Sequence, residues 1–186
     1  MKRVLLVCLL ALCLLTVPTA LCDTPVTAVN WDSLREEAQA EGLTFRTFIY
    51  DALGLQMDIP DLMTRVPVSP EDQAEGVLDR FIIDEKEDHI LVIKLSPLGD
   101  LHSLEELEAF LRENYSSISA GYGVYNGLNS LVFADSSSEI VTCCMVSDDA
   151  RFLQFTFSPV SDPVVGSLVR YVYGSLRPVD ASLSGT

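Results

Sequence analysis

Residues 151–178, RFLQFTFSPVSDPVVGSLVRYVYGSLRP, decide the fold because they predict a strand, a tight corner and a helix in immediate succession. Leu153, Phe155 and Phe157 recur at every second position. A period of two places these large apolar side chains on one face of a strand. Pro159 cannot donate a ladder hydrogen bond and therefore ends the strand. The stretch thus predicts one buried strand with a large apolar face.

The second half of this stretch predicts a helix. Asp162 is placed to accept hydrogen bonds from the first helical amides, and Pro163 has no amide to leave unpaired. Apolar side chains follow at helical spacing: Val165, Leu168, Val169, Val172 and Leu176. Each is worth about 1.5–3 kcal/mol when buried, before entropy is counted. We expect this helix, stopped by Pro178, to pack on the sheet. The alternative, a membrane-surface or partner helix, requires a more basic polar face than Arg170 and Arg177 provide.

The N-terminus predicts export. Lys2 and Arg3 precede an apolar run over residues 4–17, and the small-residue exit PTALC follows at residues 18–22. This order is typical of a secretory signal peptide, which we assign to residues 1–22. The run is too short to predict a transmembrane helix.

The processing site has three alternatives. Cleavage after Ala20 or after Cys22 fits the small-residue requirement of signal peptidase. A lipid anchor on Cys22 is the third possibility, but Leu21 is larger than the residue that bacterial lipoprotein signals place before the cysteine. We therefore expect a secreted or extracytoplasmic protein, with attachment to the cell envelope as the less favoured alternative.

The remaining chain is strongly acidic. Residues 23–186 contain ten Lys and Arg against 27 Asp and Glu, a formal charge of −17. Such a surface disfavours nucleic acid and anionic membranes as partners. It is compatible with cationic partners or divalent cations, although the solubility of a secreted protein is the more general explanation.

The length predicts a single domain. The 164 residues after the signal peptide are enough to enclose one hydrophobic core. We assign residues 23–30 to a tether, residues 31–178 to one α+β domain and residues 179–186 to a disordered tail.

The mature chain has two cysteines, Cys143 and Cys144, if cleavage follows Cys22. Adjacent residues of a strand point to opposite faces, so a disulfide between them would distort the peptide. We expect two reduced or buried thiols, with a vicinal redox disulfide as the alternative.

The first half of the domain predicts a helix, a strand and a hairpin. The helix covers residues 31–41, residues 44–52 are ambiguous, and the strand covers residues 53–60. Residues 60–75 contain several prolines and predict a loop, with a helical turn at residues 70–72.

The hairpin is expected to pair residues 76–84 with residues 89–95. Its tip, residues 85–88, is EKED. A calcium loop would need alternating oxygen ligands around a glycine, and this tip contains no glycine. A solvated turn is therefore the favoured interpretation.

The second half begins with a capping box, Ser103 with Glu106, which starts a helix ending near Glu113. Its buried stripe is predicted to be Leu104, Leu107, Phe110 and Leu111. Strands are then expected over residues 121–125, 130–134, 139–146 and 151–158.

The sequence predicts no catalytic, cofactor-binding or metal-binding residue. The two histidines, His89 and His102, do not have metal-ligand spacing. The glycine-rich stretch at residues 119–123 lacks the following lysine of a phosphate loop and the third glycine of a dinucleotide site. Aromatic side chains that could line a ligand surface are Trp31, Tyr115, Tyr122 and Tyr125.

The order of elements predicts an α+β fold, with an antiparallel sheet of about five to six strands covered by helices in an αβα sandwich. This order resembles the PsbP-like fold, which is shared by a photosystem II extrinsic subunit, a Ran-binding import factor and many bacterial secreted proteins. The resemblance rests on residues 53–60, 125–128 and 155–176. No functional residue of those proteins can be matched here, so the resemblance implies a fold alone.

Three hypotheses for function remain. The first is a secreted, non-enzymatic interaction or accessory domain with an unknown protein or small-molecule partner. The second is a small enzyme with a carboxylate-based site, which requires two acids with perturbed pKa values in one pocket. The third is an acidic protein that binds divalent cations.

Overall fold

The computed structural model describes residues 30–147 and 150–179. The predicted signal peptide, the tether up to residue 29 and the tail from residue 180 lie outside the described residues. Within them the chain has the predicted α+β fold, with ten strands and four α-helices. The helices are α1 (Trp31–Ala40), α2 (Pro70–Ala74), α3 (Leu104–Asn114) and α4 (Pro163–Ser175). The strands are β1 (Phe45–Tyr50), β2 (Leu55–Pro60), β3 (Met63–Val66), β4 (Val77–Ile83), β5 (Lys86–Pro97), β6 (Ile118–Tyr125), β7 (Leu128–Asp135), β8 (Ile140–Val146), β9 (Arg151–Ser158) and β10 (Arg177–Pro178).

Two antiparallel sheets organise the domain. The large sheet has seven strands in the order β3-β4-β5-β9-β8-β7-β6, and the small sheet has the order β1-β2-β10. The large sheet is thus wider than the expected five to six strands. β9, the strand of the fold-deciding stretch, pairs with β5 on one side and β8 on the other.

The main core lies between the large sheet and α4. Leu153, Phe155 and Phe157 of β9 are buried, as their alternation predicts. The helical stripe faces them: Val165, Leu168, Val172 and Leu176 are buried, and Val169 is partly buried against the same cluster. The side chains of β2 that contribute are Leu55, Met57 and Ile59.

A smaller core lies on the opposite face of the large sheet, under α3. Its buried members are Leu104, Leu111, Ala120, Leu131, Cys144 and Phe152. Phe152 lies on the more polar face of β9, and it is buried because α3 covers that face. The thiols of Cys143 and Cys144 are free and lie in the main and the smaller core respectively, which agrees with the prediction of buried thiols.

The N-terminal helix completes the layer that contains α4. Asn30 caps α1, since its side chain accepts from the amides of Asp32 and Ser33. Trp31, Leu34 and Ala38 form a buried cluster with Tyr171 of α4, and Arg170 pairs with Glu37 at 2.9 Å. Helices thus cover both faces of the large sheet, as in the predicted sandwich.

Three local predictions are wrong. Residues 63–66 were expected in a loop, but they form β3 and pair with β4. A strand of four residues near several prolines is too short to be recognised from the sequence pattern. The charged tip is shorter than expected: Asp84 and Glu85 alone turn the chain with positive φ, and β5 already begins at Lys86. Phe110 was placed in the buried stripe of α3, but 44% of its surface is exposed.

The end of α4 also differs from the prediction. The helix stops at Ser175 rather than at Pro178. Arg177 and Pro178 then leave the helix and pair with Gln56 and Leu55 of β2. This extra strand ties the C-terminal segment to the small sheet.

Candidate interaction surface

The outer side of β6, at one end of the large sheet, is an edge that no other strand of the described residues pairs with. β6 joins β7 through Asn126 and Gly127, both with positive φ, so the connection is a two-residue turn that suits a tight hairpin. Asn126 anchors this turn, because its side-chain amide donates to the carbonyls of Gly174 and Leu176 at 2.9 and 2.7 Å. The hairpin is therefore fixed to the end of α4.

The register of the hairpin determines which backbone groups of β6 face outwards. Tyr125 and Leu128 close a two-residue turn and form a hydrogen-bonded pair. Because such pairs alternate along an antiparallel ladder, the odd-numbered residues of β6 bond to β7 and the even-numbered residues face away. The carbonyl of Ser117 agrees with this register, since it accepts from Ser136 after β7. We define the β6 edge as the outward backbone groups of Ile118, Ala120, Tyr122 and Val124.

One flank of α3 borders the β6 edge. Ser103 caps this helix by accepting from the Glu106 amide at 3.2 Å. Arg112 pairs with Glu108 at 2.6 Å and donates to the outward carbonyl of Ala120 at 3.1 Å. This guanidinium therefore covers one acceptor of the edge and leaves those of Tyr122 and Val124 open among the described residues.

Tyr122 is the exposed side chain of the β6 edge. Its exposed fraction is 43%, and Gly121 and Gly123 on either side leave it without large neighbours on the strand. Partial desolvation and a hydrogen bond with Glu108 raise the pKa of Tyr122 to about 12. The hydroxyl thus stays protonated and is a neutral hydrogen-bonding group near the edge.

The other end of the large sheet is protected by comparison. β3 has only four residues, carries Arg65 and is followed by Pro67. Charged side chains, prolines and short length are the usual means of preventing a sheet edge from pairing. β6 has eight residues and no charged residue or proline. The β6 edge therefore has the features of an edge that can accept another strand.

Two further exposed aromatic side chains lie on a different flank of α3. Phe110 and Tyr115 pack edge to face with their ring centroids 6.4 Å apart. At about 100° of rotation per residue, Phe110 is roughly 160° from Glu108 around the helix axis. These two rings are therefore separate from the flank that borders β6.

A polar pocket of about 270 Å³ opens beside the N-terminus of α1. It is lined by Asn30, Trp31, Asp32, Arg35, Asn126 and Arg177. The amide of Asn126 already donates to the carbonyls of Gly174 and Leu176, and Arg177 donates to the carbonyl of Ser175 at 2.7 Å. Four of the six lining side chains, those of Asn30, Trp31, Asn126 and Arg177, therefore already make hydrogen bonds within the protein.

Asp58 is a buried carboxylate bonded to two residues of this pocket. Trp31 Nε1 donates to it at 2.9 Å, Thr47 Oγ1 at 2.6 Å and Arg177 Nη2 at 3.2 Å. Burial would raise the pKa of Asp58, but the hydrogen bonds from Thr47 and Arg177 outweigh it and lower the pKa. This carboxylate is held ionised and has a structural role, because it joins α1 to all three strands of the small sheet.

A second buried carboxylate, Asp79, lies near a separate surface pocket of about 340 Å³. Its side chain is bonded by Arg65 and by Tyr50 Oη, the latter at 2.6 Å. Burial and the bond to this carboxylate raise the pKa of Tyr50 strongly. Asp79 thus lines this second pocket, whereas Asp58 lies behind Trp31 and Arg177 of the first, and each carboxylate has its own arginine.

The histidines have ordinary structural partners. The His89 ring lies between Asp88 and Asp162, with nitrogen–oxygen distances of 2.9 and 3.0 Å. The backbone amide of His102, rather than its ring, donates to Glu106 in the capping box at 2.7 Å. Across residues 30–147 and 150–179, no three His, Cys, Asp or Glu side chains are arranged to hold a metal ion.

The remaining residues singled out by the sequence are scattered over the domain. The glycine-rich stretch at residues 119–123 is the central part of β6. Trp31 is buried, Tyr125 is partly buried against Tyr173, and Tyr115 and Tyr122 are exposed. The candidate ligand-lining aromatics therefore do not converge on one pocket.

Sequence reasoning did not single out Asp58, Asp79 or the β6 edge. Asp58 alternates with apolar residues in a strand and reads as a solvent-facing position. An available signal for the edge was the Asn126-Gly127 turn, which predicts a hairpin, together with an uncharged, glycine-containing first strand.

Comparison with known proteins finds solved structures that are similar to this chain. The cyanobacterial PsbP protein CyanoP from Synechocystis sp. PCC 6803 aligns with 14% identity and a TM-score of 0.48 over 73% of this chain and 92% of its own. The Saccharomyces cerevisiae Ran-binding protein Mog1p aligns with 12% identity and a TM-score of 0.43 over 76% of this chain and 98% of its own. These are the two kinds of protein named by the sequence resemblance, and the similarity is one of fold. No protein-family model and no curated protein matches the chain.

Among the described residues, no helix has the length and apolar content needed to cross a membrane.

Proposed function

We propose that the chain is an exported, non-enzymatic accessory domain that acts by binding another protein at the β6 edge. The supporting observation is the edge itself: eight uncharged residues at the end of a seven-stranded sheet, with the outward backbone groups of Tyr122 and Val124 open. Addition of a strand to an exposed sheet edge is a common mode of peptide recognition.

The surroundings of the edge support this proposal. Asn126 ties the hairpin to α4, and Arg112 ties Ala120 to α3. The edge is thus presented by a scaffold that is fixed at both ends. A partner strand would lose its own conformational freedom on binding, but the domain would lose little.

The separation of the buried carboxylates weighs against the carboxylate-based enzyme. Such a site needs two acids in one pocket with pKa values pushed apart. Asp58 and Asp79 occupy separate places, and each is neutralised by an arginine.

Export is part of the proposal and rests on residues 1–22. Expression in a bacterial host with a general secretory pathway, followed by mass spectrometry of the exported protein, tests it. We expect a mature chain that begins at Leu21 or Asp23. A chain retained in the cytoplasm with Met1 intact would contradict export, and an acylated Cys22 would replace secretion with envelope attachment.

Binding is tested by selecting peptides from a random twelve-residue phage library on residues 23–186. The matched variant is Val124→Pro, which removes an outward amide and no bond to β7. Proline is tolerated at such positions of edge strands. We expect selected peptides that bind the wild-type domain and lose binding to Val124→Pro. The control Phe110→Ala alters an exposed residue away from the edge and should retain binding.

Two results would contradict the proposed site. One is a set of selected peptides that bind wild type and Val124→Pro equally while losing affinity for Phe110→Ala. The other is failure to enrich any peptide in repeated selections. Circular dichroism melting of each variant shows whether it is folded before its binding is compared.

A further inference from the structure

The β6 edge has an acidic border on the side of α3. Glu105 and Glu108 are one turn apart on the flank that borders β6, and the Tyr122 hydroxyl interacts with Glu108. Arg112 is the cation of this flank, but its guanidinium is already bonded to Glu108 and to the Ala120 carbonyl. The flank therefore has two carboxylates and one committed guanidinium.

The face on which a partner's side chains would lie follows from the pleat. Alternate side chains of a strand share one face, so those of Ala120, Tyr122 and Val124 point to the side of α3. Burial of Ala120 under α3 agrees with this assignment. Every second side chain of an added strand would project to this same side, towards Glu105 and Glu108.

From these positions we infer that the occupant of the β6 edge is an extended segment of another protein that carries Lys or Arg at alternate positions. The inference rests on the proposed function and specifies its partner. The backbone of the segment pairs with the open groups of Tyr122 and Val124. Its cationic side chains lie over Tyr122 and beside Glu105 and Glu108, where ion pairing and cation–π contact are both available.

A second copy of the chain fits this edge less well. Two β6 strands related by a two-fold axis perpendicular to the sheet would place both α3 helices on the same face, with their acidic flanks opposed. The whole chain has a formal charge of −15, so copies also repel at long range. A cationic segment avoids both the opposition of acidic flanks and the repulsion between two negatively charged copies.

The probe is an acetylated and amidated eight-residue peptide in which Lys alternates with Val and Thr, carrying a fluorophore for anisotropy titration. Two matched peptides serve as controls: one has Glu in place of each Lys, and the other has N-methylated amides on the edge that would pair with β6. The protein is residues 23–186, as wild type, as Val124→Pro and as the double variant Glu105→Gln, Glu108→Gln.

We expect the Lys peptide to bind at least tenfold more tightly than either matched peptide. The double Gln variant should weaken binding about two- to fivefold per carboxylate, as expected for exposed ion pairs. Affinity should fall as salt rises from 20 to 200 mM, roughly in line with screening of exposed charges. Glu36→Gln on α1, away from the edge, should leave affinity unchanged.

The outcomes separate this inference from the function on which it rests. Equal affinity for the Lys and Glu peptides, both lost in Val124→Pro, would overturn the cationic class but keep the edge as a binding site. Lys-peptide binding unaffected by Val124→Pro, or absent at about 1 mM peptide, would overturn the inference. Sedimentation equilibrium that shows a dimer dissociated by Val124→Pro would make a second copy the occupant and overturn it too.

Discussion

Asp58 connects parts of the chain that are far apart in sequence. Trp31 belongs to α1, Thr47 to β1 and Arg177 to β10, and all three donate to this one carboxylate. The backbone amide of Asp58 adds a fourth contact by donating to Ser175 Oγ at 2.9 Å. A buried ionised group with this many donors is costly to leave unpaired. Its loss should therefore affect the stability of the whole domain.

Asp58→Asn keeps the shape of the side chain and removes its charge. Arg177, of which 24% is exposed, would lose its ionic partner. We expect the free energy of unfolding to fall by about 2–4 kcal/mol. Urea unfolding at pH 7 measures this. Asp61→Asn is the control: Asp61 pairs with Arg46 at 2.9 Å, but both are about half exposed, so the change should be within about 1 kcal/mol. Equal effects of the two substitutions would contradict the role of Asp58.

Gly76 is required by the approach of two backbone segments. Its φ is +90°, and an added Cβ would overlap the carbonyl oxygen of Leu95, a backbone atom that cannot easily move. We expect Gly76→Ala to lower the free energy of unfolding by about 2–4 kcal/mol. Gly54 also has positive φ but faces open space, so Gly54→Ala should cost only about 1–2 kcal/mol. Thermal or urea unfolding of both variants compares them, and a smaller loss for Gly76→Ala would contradict the steric argument.

Local sequence signals predicted the caps and missed the buried acids for one physical reason. Ser103 and Asp162 act on amides two or three residues away, so their role can be read from neighbouring residues. Asp58 is partnered by residues up to 119 positions away. Its alternation with Met57 and Ile59 indicates a strand, but not that α1 and Arg177 cover its polar face.

At the scale of elements, the start of α4 is joined to the β4–β5 hairpin through a histidine. Asp162 caps the helix by accepting from the Val164 amide at 2.8 Å and also contacts His89. The hydrogen bonds to Asp162 and Asp88 raise the pKa of His89. The bond to His89 in turn lowers the pKa of Asp162. Lys86 lies 3.7 Å from Asp162 and adds a second cation to the group.

This linkage makes the contribution of His89 to stability dependent on pH. A raised folded pKa means that the contribution is complete below the unfolded value of about 6.5 and is lost as pH rises through the folded value. Because the pKa of Asp162 is lowered in the folded protein, the contribution of Asp162 to stability is complete above the unfolded value of about 3.9 and is lost as pH falls further. We therefore expect His89→Asn to destabilise the domain more at pH 5.5 than at pH 8.5, as measured by urea unfolding.

The matched control for this experiment is His102→Asn. Among the residues that the structure describes, the His102 ring has no contact comparable to that of His89, and the capping bond of this residue comes from its backbone amide. The stability change of His102→Asn at the two pH values is the baseline with which that of His89→Asn is compared. A difference between wild type and His89→Asn that is the same at pH 5.5 and pH 8.5 would contradict the linkage.

Elements with strong periodicity were predicted from sequence, and their neighbours in space were not. The stretch at residues 151–178 gave β9 and α4 because alternation and helical spacing are local properties. β3 was missed since four residues between a turn and a proline carry little pattern. The β6 edge is a property of strand order, which depends on pairings between distant segments and cannot be read from one strand.

At the scale of the whole domain, within residues 30–147 and 150–179, two cores of unequal size lie on opposite faces of the large sheet, beside the small cluster around Trp31. The main core has nineteen buried residues from both sheets and α4, whereas the core under α3 has six. Regions with fewer buried contacts open more readily than the rest of a domain. The layer that contains α3 should therefore open before the main core unfolds.

The adjacent cysteines can test this order, because Cys143 reports on the main core and Cys144 on the core under α3. Burial raises the pKa of the Cys143 thiol strongly and that of Cys144 to about 12, so neither thiol reacts until it is exposed. With residues 23–186 as Cys143→Ala and Cys144→Ala single-thiol variants, we expect Cys144 to react with an aromatic disulfide reagent at pH 8 at least tenfold faster than Cys143. In 8 M urea the two rates should be equal, which controls for intrinsic reactivity. Equal rates in buffer would mean that both cores open together, and the large sheet would then be the single cooperative unit that joins them.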